Sequence, residues 1–206
     1  NGISSGGIAR LNTDGSVDES FITGLGAVGG TVFDVAEQTD GKLLIAGSFT
    51  SFAGTTQRRL VRLNQDGSLD SSFTPNVNND VYTIALQSDG KVLLGGRFTG
   101  VNGVGRNQLA RLNTDGTLDT SFGVGSGAND SVLSMDIRVD GKIYIAGNFT
   151  DYGGTPRQRV ALINLDGSLD SSFSQHQGVN DTVRVIAAQR DGTVLIGGSF
   201  SQVDGF

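Results

Sequence analysis

Eight of this chain's nine Asp-Gly pairs recur at regular intervals, and their spacing limits what it can fold into more than any other feature. Four of them, Asp14-Gly15, Asp66-Gly67, Asp115-Gly116 and Asp166-Gly167, start 52, 49 and 51 residues apart. Each lies in a copy of one segment, at residues 8–21, 60–73, 109–122 and 160–173. The second copy reads Leu-Val-Arg-Leu-Asn-Gln-Asp-Gly-Ser-Leu-Asp-Ser-Ser-Phe. The other four pairs, Asp40-Gly41, Asp89-Gly90, Asp140-Gly141 and Asp191-Gly192, lie in a different element that alternates with the first, at residues 38–49, 87–98, 138–149 and 189–200. A fixed period near 50 residues marks a repeat architecture and governs how every single motif is read.

An Asp-Gly pair between two apolar runs is the strongest short-range signal of a β-hairpin. In Asn12-Thr13-Asp14-Gly15-Ser16, Thr13 and Asp14 suit a type I turn and Gly15 the left-handed bulge position. That register sets Leu11 opposite Val17 and Arg10 opposite Asp18; in later copies it sets Arg62 opposite Asp70 and Arg111 opposite Asp119. Opposite charges facing across a hairpin contribute about 0.2–1 kcal/mol. The fourth copy has Leu162 opposite Asp170, so the pair is not obligatory. With strands named a to d, the a–b hairpin surrounds pairs such as Asp40-Gly41, and the c–d hairpin surrounds pairs such as Asp66-Gly67. One repeat is then a four-stranded antiparallel meander, the size of one propeller blade.

Strand b separates a propeller from a sandwich. It reads Leu43-Leu44-Ile45-Ala46-Gly47, and residues 92–96, 143–147 and 194–198 repeat the pattern. Three consecutive apolar residues mean that both faces are covered, whereas a one-sided antiparallel sheet alternates. Blades stacked face to face cover both. The small pair that follows lets neighbouring backbones approach closely. In strand a the first and fourth positions are always apolar (Val32/Val35, Val81/Ile84, Val132/Met135, Val183/Ile186), and a β-bulge accounts for that spacing. A β-solenoid competes, because Asp-Gly pairs recur every 23 to 26 residues, about one rung. The two half-repeats differ and alternate, however, and turns that reverse the chain suit hairpins. The expected fold is an all-β propeller of four-stranded antiparallel blades.

The organisation expected is a single repeat domain over residues 1–206. It holds a c–d hairpin at 8–21, whole repeats at 32–73, 81–122 and 132–173, and an a–b hairpin at 183–200. The two half-repeats could complete one blade together and close a four-bladed ring. The same cut also results from taking four blades out of a larger propeller. The chain begins with Asn1, as a piece or mature product of something longer would. Cysteine is absent, which excludes a disulfide framework and thiol chemistry. A net charge of −6 argues against nucleic acid, and no apolar run reaches the length of a membrane span. The three lysines, Lys42, Lys91 and Lys142, each follow an Asp-Gly turn.

Few residues point to chemistry. Residues 64–70 resemble part of a calcium loop, but the first ligand position falls on Arg62 and the twelfth on Phe73, which cannot replace carboxylates around a hard cation. His176 is the only histidine and sits in a polar linker without a second ligand. Asp34 and Asp136 break the pattern of strand a and could line a central channel as acids of a lyase or hydrolase. The glycine-rich b–c loops carry Phe52, Arg106, Tyr152, Arg157 and Arg159. Exposed aromatic and arginine side chains on loops of a rigid scaffold are the ingredients of a recognition surface. The other reading is that Phe52 and Tyr152 pack down onto their own blades. No metal, cofactor or catalytic residue is expected.

The motif Arg-Leu-Asn-x-Asp-Gly-Ser-Leu-Asp-x-Ser-Phe, followed by Asp-Gly-Lys-[Leu/Val]-Leu-[Ile/Leu]-[Ala/Gly]-Gly-x-Phe-[Thr/Ser], resembles the delta-60 repeat over essentially the whole chain. The fourth copy departs from it at Leu162-Ile163. That resemblance implies a propeller-type repeat of large bacterial proteins, secreted or on the cell surface, with adhesion-like domains elsewhere. It transfers no catalytic residues. The function expected is a non-catalytic structural or recognition module that takes a protein or glycan ligand, with a carbohydrate-binding or adhesive propeller as the alternative.

Overall fold

A computed structural model of the protein describes residues 6–173 and 177–206, in which there are strands and turns but no helix. His176 lies outside the described residues. Every Asp-Gly pair turns the chain as its residues dictate. In the second c–d hairpin Gly67 donates its N–H to the Asn64 carbonyl at 2.9 Å, and Asn64 donates to the Ser68 carbonyl at 2.8 Å. Gly67 has φ 86°, the left-handed value that glycine reaches without penalty. Asp66 closes the turn with Oδ1, which accepts from the Ser68 amide at 2.9 Å and its hydroxyl at 2.6 Å. Leu63 bridges Leu69, the register expected for this turn.

Three antiparallel sheets follow, each ordered a–b–c. The first joins Val32–Glu37, Leu43–Gly47 and Leu60–Leu63. The second joins Val81–Leu86, Val92–Gly96 and Leu109–Leu112. The third joins Val132–Ile137, Ile143–Gly147 and Val160–Ile163. A fourth sheet has two strands, Val183–Ala188 and Val194–Gly198. The register shifts after the first residue of every strand a, at Val32/Asp34, Val81/Thr83, Val132/Ser134 and Val183/Val185. That bulge re-aims the side chains so that positions one and four share a face. Strand d completes each meander with a single bridge, Leu63 to Leu69 in the first case. It is short because Asp70 bends it: Oδ1 accepts from the Ser72 amide at 3.0 Å, and the Asp70 carbonyl from Phe73 N–H at 3.2 Å.

The sheets stack face to face, with strand a of each beside strand a of the next. Successive residues of strand b serve different cores, which is why the run is continuously apolar. Leu44 and Ala46 pack with Phe73, Val81, Val92 and Leu94 between the first and second sheets. Leu93 packs with Phe122, Val132 and Ile145 between the second and third. Tyr144 and Ala146 pack with Val183 and Ile186 of the fourth. Ile8 and Phe21 cover Ile45, Phe49 and Val61 on the outer side of the first sheet. Among the described residues no bridge or hydrogen bond joins the half-repeats 8–21 and 183–200, so the stack is open at both ends. Leu11 and Leu195 are exposed there.

Close approach explains the small residues after strand b. A Cβ on Gly96 would sit 2.1 Å from the Asp80 carbonyl oxygen, whereas one on Gly105 would meet nothing within 4 Å. Gly96→Ala is therefore expected to cost about 2–3 kcal/mol in urea unfolding, as overpacking does. Gly105→Ala should stay within about 0.5 kcal/mol.

Candidate binding site

The recurring charged side chains form latches between blades. Asp70 Oδ2 accepts from Arg62 Nε at 2.8 Å and from Lys42 Nζ at 2.7 Å. The Arg62 guanidinium lies 4.4 Å from the Phe73 ring centroid, a cation–π contact. Its Nη1 reaches into the next blade and donates to the Thr114 carbonyl at 2.7 Å. Phe73 packs on Gly116 of the same neighbouring turn. The unit repeats with Arg111, Asp119, Lys91 and Phe122, where Arg111 Nη1 donates to the Leu165 carbonyl. In the fourth copy Leu162 faces Asp170, as the sequence predicts, yet Asp170 keeps Lys142 and Ser172. Phe173 then stacks edge-on against Tyr144. Asp18 of the first copy has Arg10, at 2.7 Å. Burial pushes the Asp70 and Asp119 carboxyls up, but their lysine, serine and arginine donors outweigh it and hold both well below the usual carboxylate range.

The turn aspartates are also committed. Asp14, Asp66, Asp115, Asp166 and Asp191 each accept from the hydroxyl and amide two residues on, and Asp40, Asp89 and Asp140 from the following lysine amide. Asp34 and Asp136 are staples between strands a. Asp34 Oδ2 accepts from Ile84 N–H, and Asp136 Oδ2 from Ala188 N–H, both at 2.7 Å.

The loop residues divide. Phe52 and Tyr152 do not form a surface; both are buried, Phe52 edge-on against Phe49 and Tyr152 with its hydroxyl donating to the Gly167 carbonyl at 2.6 Å. Burial pushes the Tyr152 phenol upward, and the Asp166 charge adds to it. The signal lay in the repeat, because Val101 and Val203 occupy the same position and an apolar residue in all four copies marks core. Arg59 and Arg159 sit at left-handed backbone, φ 65° and 71°, and each donates Nη1 to a carbonyl at the end of strand b, Ser48 and Asn148 respectively. Arg59 also pairs with Asp80 of the next blade at 2.8 Å. Arg106 and Arg157 are half-buried, each donating Nη1 to the carbonyl of its preceding residue.

A different set of residues meets at a cavity. This cavity, of about 410 Å³, opens between the second and third blades, lined by Tyr82, Arg97, Gln108, Asp130 and Asn148 among others. Two of these, Arg97 and Gln108, break the repeat, and a third, Tyr82, stands at a position that varies in every copy. Tyr82 stands where the other copies have Phe33, Leu133 and Arg184; Arg97 stands where they have Ser48, Asn148 and Ser199. Gln108 replaces Arg59 and Arg159. A larger cavity, about 760 Å³, lies at the opposite end of strand a, among the a–b turns. Of its three carboxylates, Asp89 and Asp140 close those turns and the third is Glu37 of strand a.

Sequence comparison decides the family. The profile of the domain of unknown function DUF5122, a β-propeller, matches residues 1–21, 38–73, 87–122 and 140–173, more than half of the chain. The chain belongs to the DUF5122 β-propeller family. The profile's segments cover the latches described above and the repeat's Asp-Gly turns apart from Asp191-Gly192. No curated protein matches the sequence. Among solved structures, this DUF5122 chain resembles the WD40 β-propeller domain of Doa1 with a TM-score of 0.57 and 16% identity, over 84% of this chain and 51% of that one. It therefore spans about half of that domain's chain. The extracellular domain of a B. thetaiotaomicron protein assigned as a one-component system, BT4673, gives a TM-score of 0.47 at 11% identity, over 85% of this chain and 20% of that one. A protein assigned as a gluconolactonase gives 0.45 at 15%, over 95% and 63%. The likeness to the Doa1 domain is one of fold.

The latches make the DUF5122 stack acid-sensitive. A carboxyl whose value falls on folding adds stability above its ordinary value, here 3.8, and loses it as pH drops through the depressed range. The melting temperature should hold from about pH 7 to about pH 5 and fall below about pH 4. Asp119→Asn should cost about 3 kcal/mol at neutral pH by leaving Arg111 buried without its partner, and its acid limb should be shallower than that of the native chain.

Proposed function

We propose that this chain is a non-catalytic recognition module: a rigid propeller stack that presents a binding site at the end where the b–c loops emerge. One observation carries the reading. The side chains that recur, and that sequence alone would nominate for chemistry, are consumed by turns and latches, while residues that depart from the repeat converge on one cavity. Selection for architecture alone has no need to gather deviations in one place. Asp34 and Asp136, the acids a lyase or hydrolase would use, are each held by two backbone amides. No helix among the described residues is long and apolar enough to cross a membrane.

The resemblance to the delta-60 repeat supports a secreted or surface-exposed setting in a bacterial protein of many repeats, with adhesion as the wider role. Among the described residues Val194–Gly198 pairs with Val183–Ala188 alone. In the complete blades the matching edge, Leu43–Ala46, pairs with Leu60–Leu63. Residues 8–11 carry the Leu60–Leu63 pattern, so a c–d hairpin of this repeat would complete the blade, supplied by residues 8–21 or by a further repeat.

The test is a glycan array and an array of cell-surface and matrix proteins, run beside chromogenic glycosides, lactones, esters and polyuronates. The expected result is retention on one array with no turnover. Turnover that disappears in Asp136→Asn would overturn the reading in favour of an enzyme. Silence on both arrays would overturn it in favour of a purely structural stack.

A further inference from the structure

We infer that the cavity between the second and third blades is a subsite for a neutral hexopyranose, bound through the Arg97 guanidinium and the Asp130 carboxylate against the Tyr82 ring. This rests on the recognition reading above and assigns its ligand.

The argument begins with a missing ion pair. At the first inter-blade junction Arg59 pairs with Asp80 at 2.8 Å. At the third, the Arg159 charge acts on Asp181. At the second, Gln108 takes the arginine's place, and its amide is oriented to donate to the Ala128 and Asn107 carbonyls. Asp130, the counterpart of Asp181, thus has no cation among the described residues: it accepts from the Ser131 amide, at 2.6 Å to Oδ1, which leaves Oδ2 open. Arg97, on the opposing blade, faces the same cavity with its side chain in no hydrogen bond or ion pair among the described residues. Asn148 spends its amide oxygen on the Thr182 hydroxyl at 2.8 Å, which leaves its NH₂ as a further donor. Tyr82 also lines the cavity, and its ring rests against Phe33 with centroids 5.4 Å apart.

The chemistry of that set is narrow. A planar guanidinium and a carboxylate each engage two adjacent hydroxyls at once, one as double donor and one as double acceptor. Their charges offset each other, so a net charge on the ligand gains nothing, and an acidic sugar would meet Asp130. Tyr82 beside these polar groups offers a small apolar contact to the C–H side of a pyranose. The volume, about 410 Å³, falls in the range of small-molecule pockets, roughly 300–1,000 Å³. Lipids and flat apolar ligands find too little apolar wall among these residues.

The repeat itself supplies the sharpest variant. Gln108→Arg restores the residue that blades one and three carry at a backbone angle already suited to it, φ 62°. The new guanidinium should pair with Asp130 and fill the cavity, so this variant should fold with an unchanged or higher melting temperature while losing the ligand. The measurement is saturation-transfer NMR on the full 206-residue chain with mannose, glucose, galactose and galacturonate, followed by titration of the strongest responder. The expected result is transfer to ring protons of a neutral hexose, a tenfold or greater loss of affinity in Gln108→Arg and in Asp130→Asn, and loss of the transfer in Tyr82→Ala. Transfer that survives unchanged in folded Gln108→Arg overturns the assignment, and stronger transfer to galacturonate than to every neutral hexose also overturns it. No transfer to any sugar overturns it too, and in that case retention on the protein array leaves the recognition reading standing.

Discussion

A buried aspartate held from three sides is the interaction the stack depends on. Asp70 and Asp119 are each fixed by the arginine across the hairpin, the lysine of the preceding a–b turn and the serine two residues on. A carboxylate removed from water is costly unless paired and hydrogen-bonded, so only the geometry that satisfies all of these donors is stable. The arginine then has a fixed direction, lying on its phenylalanine and reaching the next blade's turn. One polar unit therefore defines a hairpin, joins it to its own sheet and aligns it with its neighbour. Apolar packing between the sheets supplies most of the driving force, but packing alone is tolerant of sliding and the latch is not.

This arrangement explains where most of the chain's aspartates are engaged. The turn aspartates bond to their own backbones, the strand-d aspartates lie in latches, and Asp34 and Asp136 bridge adjacent strands a. A repeat that commits its polar groups to architecture leaves function to the positions that differ between copies. Blade two differs most tellingly, at Tyr82, Arg97 and Gln108, and the fold brings those three to one cavity.

Much of this was legible in the amino-acid sequence, and the reasons are local. Asp14-Gly15 and its seven counterparts turned as expected because left-handed glycine and an Asx cap are encoded within four residues. The bulge in strand a and the double burial of strand b followed from apolar spacing that only stacked sheets satisfy. Arg62 opposite Asp70 was a matter of register, but Lys42, the second partner, comes from 28 residues away and needed the sheet to be built first. Phe52 and Tyr152 left two readings open, a loop surface or packing onto their own blades, and the valines at the same repeat position are the signal for the packing that the structure shows. The cavity was not legible at all, since Tyr82, Arg97, Gln108 and Asp130 are distant along the chain and only blade stacking makes them neighbours.

Hydrogen exchange by mass spectrometry on Arg111→Leu, compared with the native chain, tests the latch most directly. Arg111 touches its own hairpin through Asp119 and the next blade through the Leu165 carbonyl. If the latch couples blades, amides of the third sheet, Val132–Ile137, Ile143–Gly147 and Val160–Ile163, will lose protection together with those of the second. Loss confined to the second c–d hairpin and its strand c, with the third sheet as protected as before, would contradict the account.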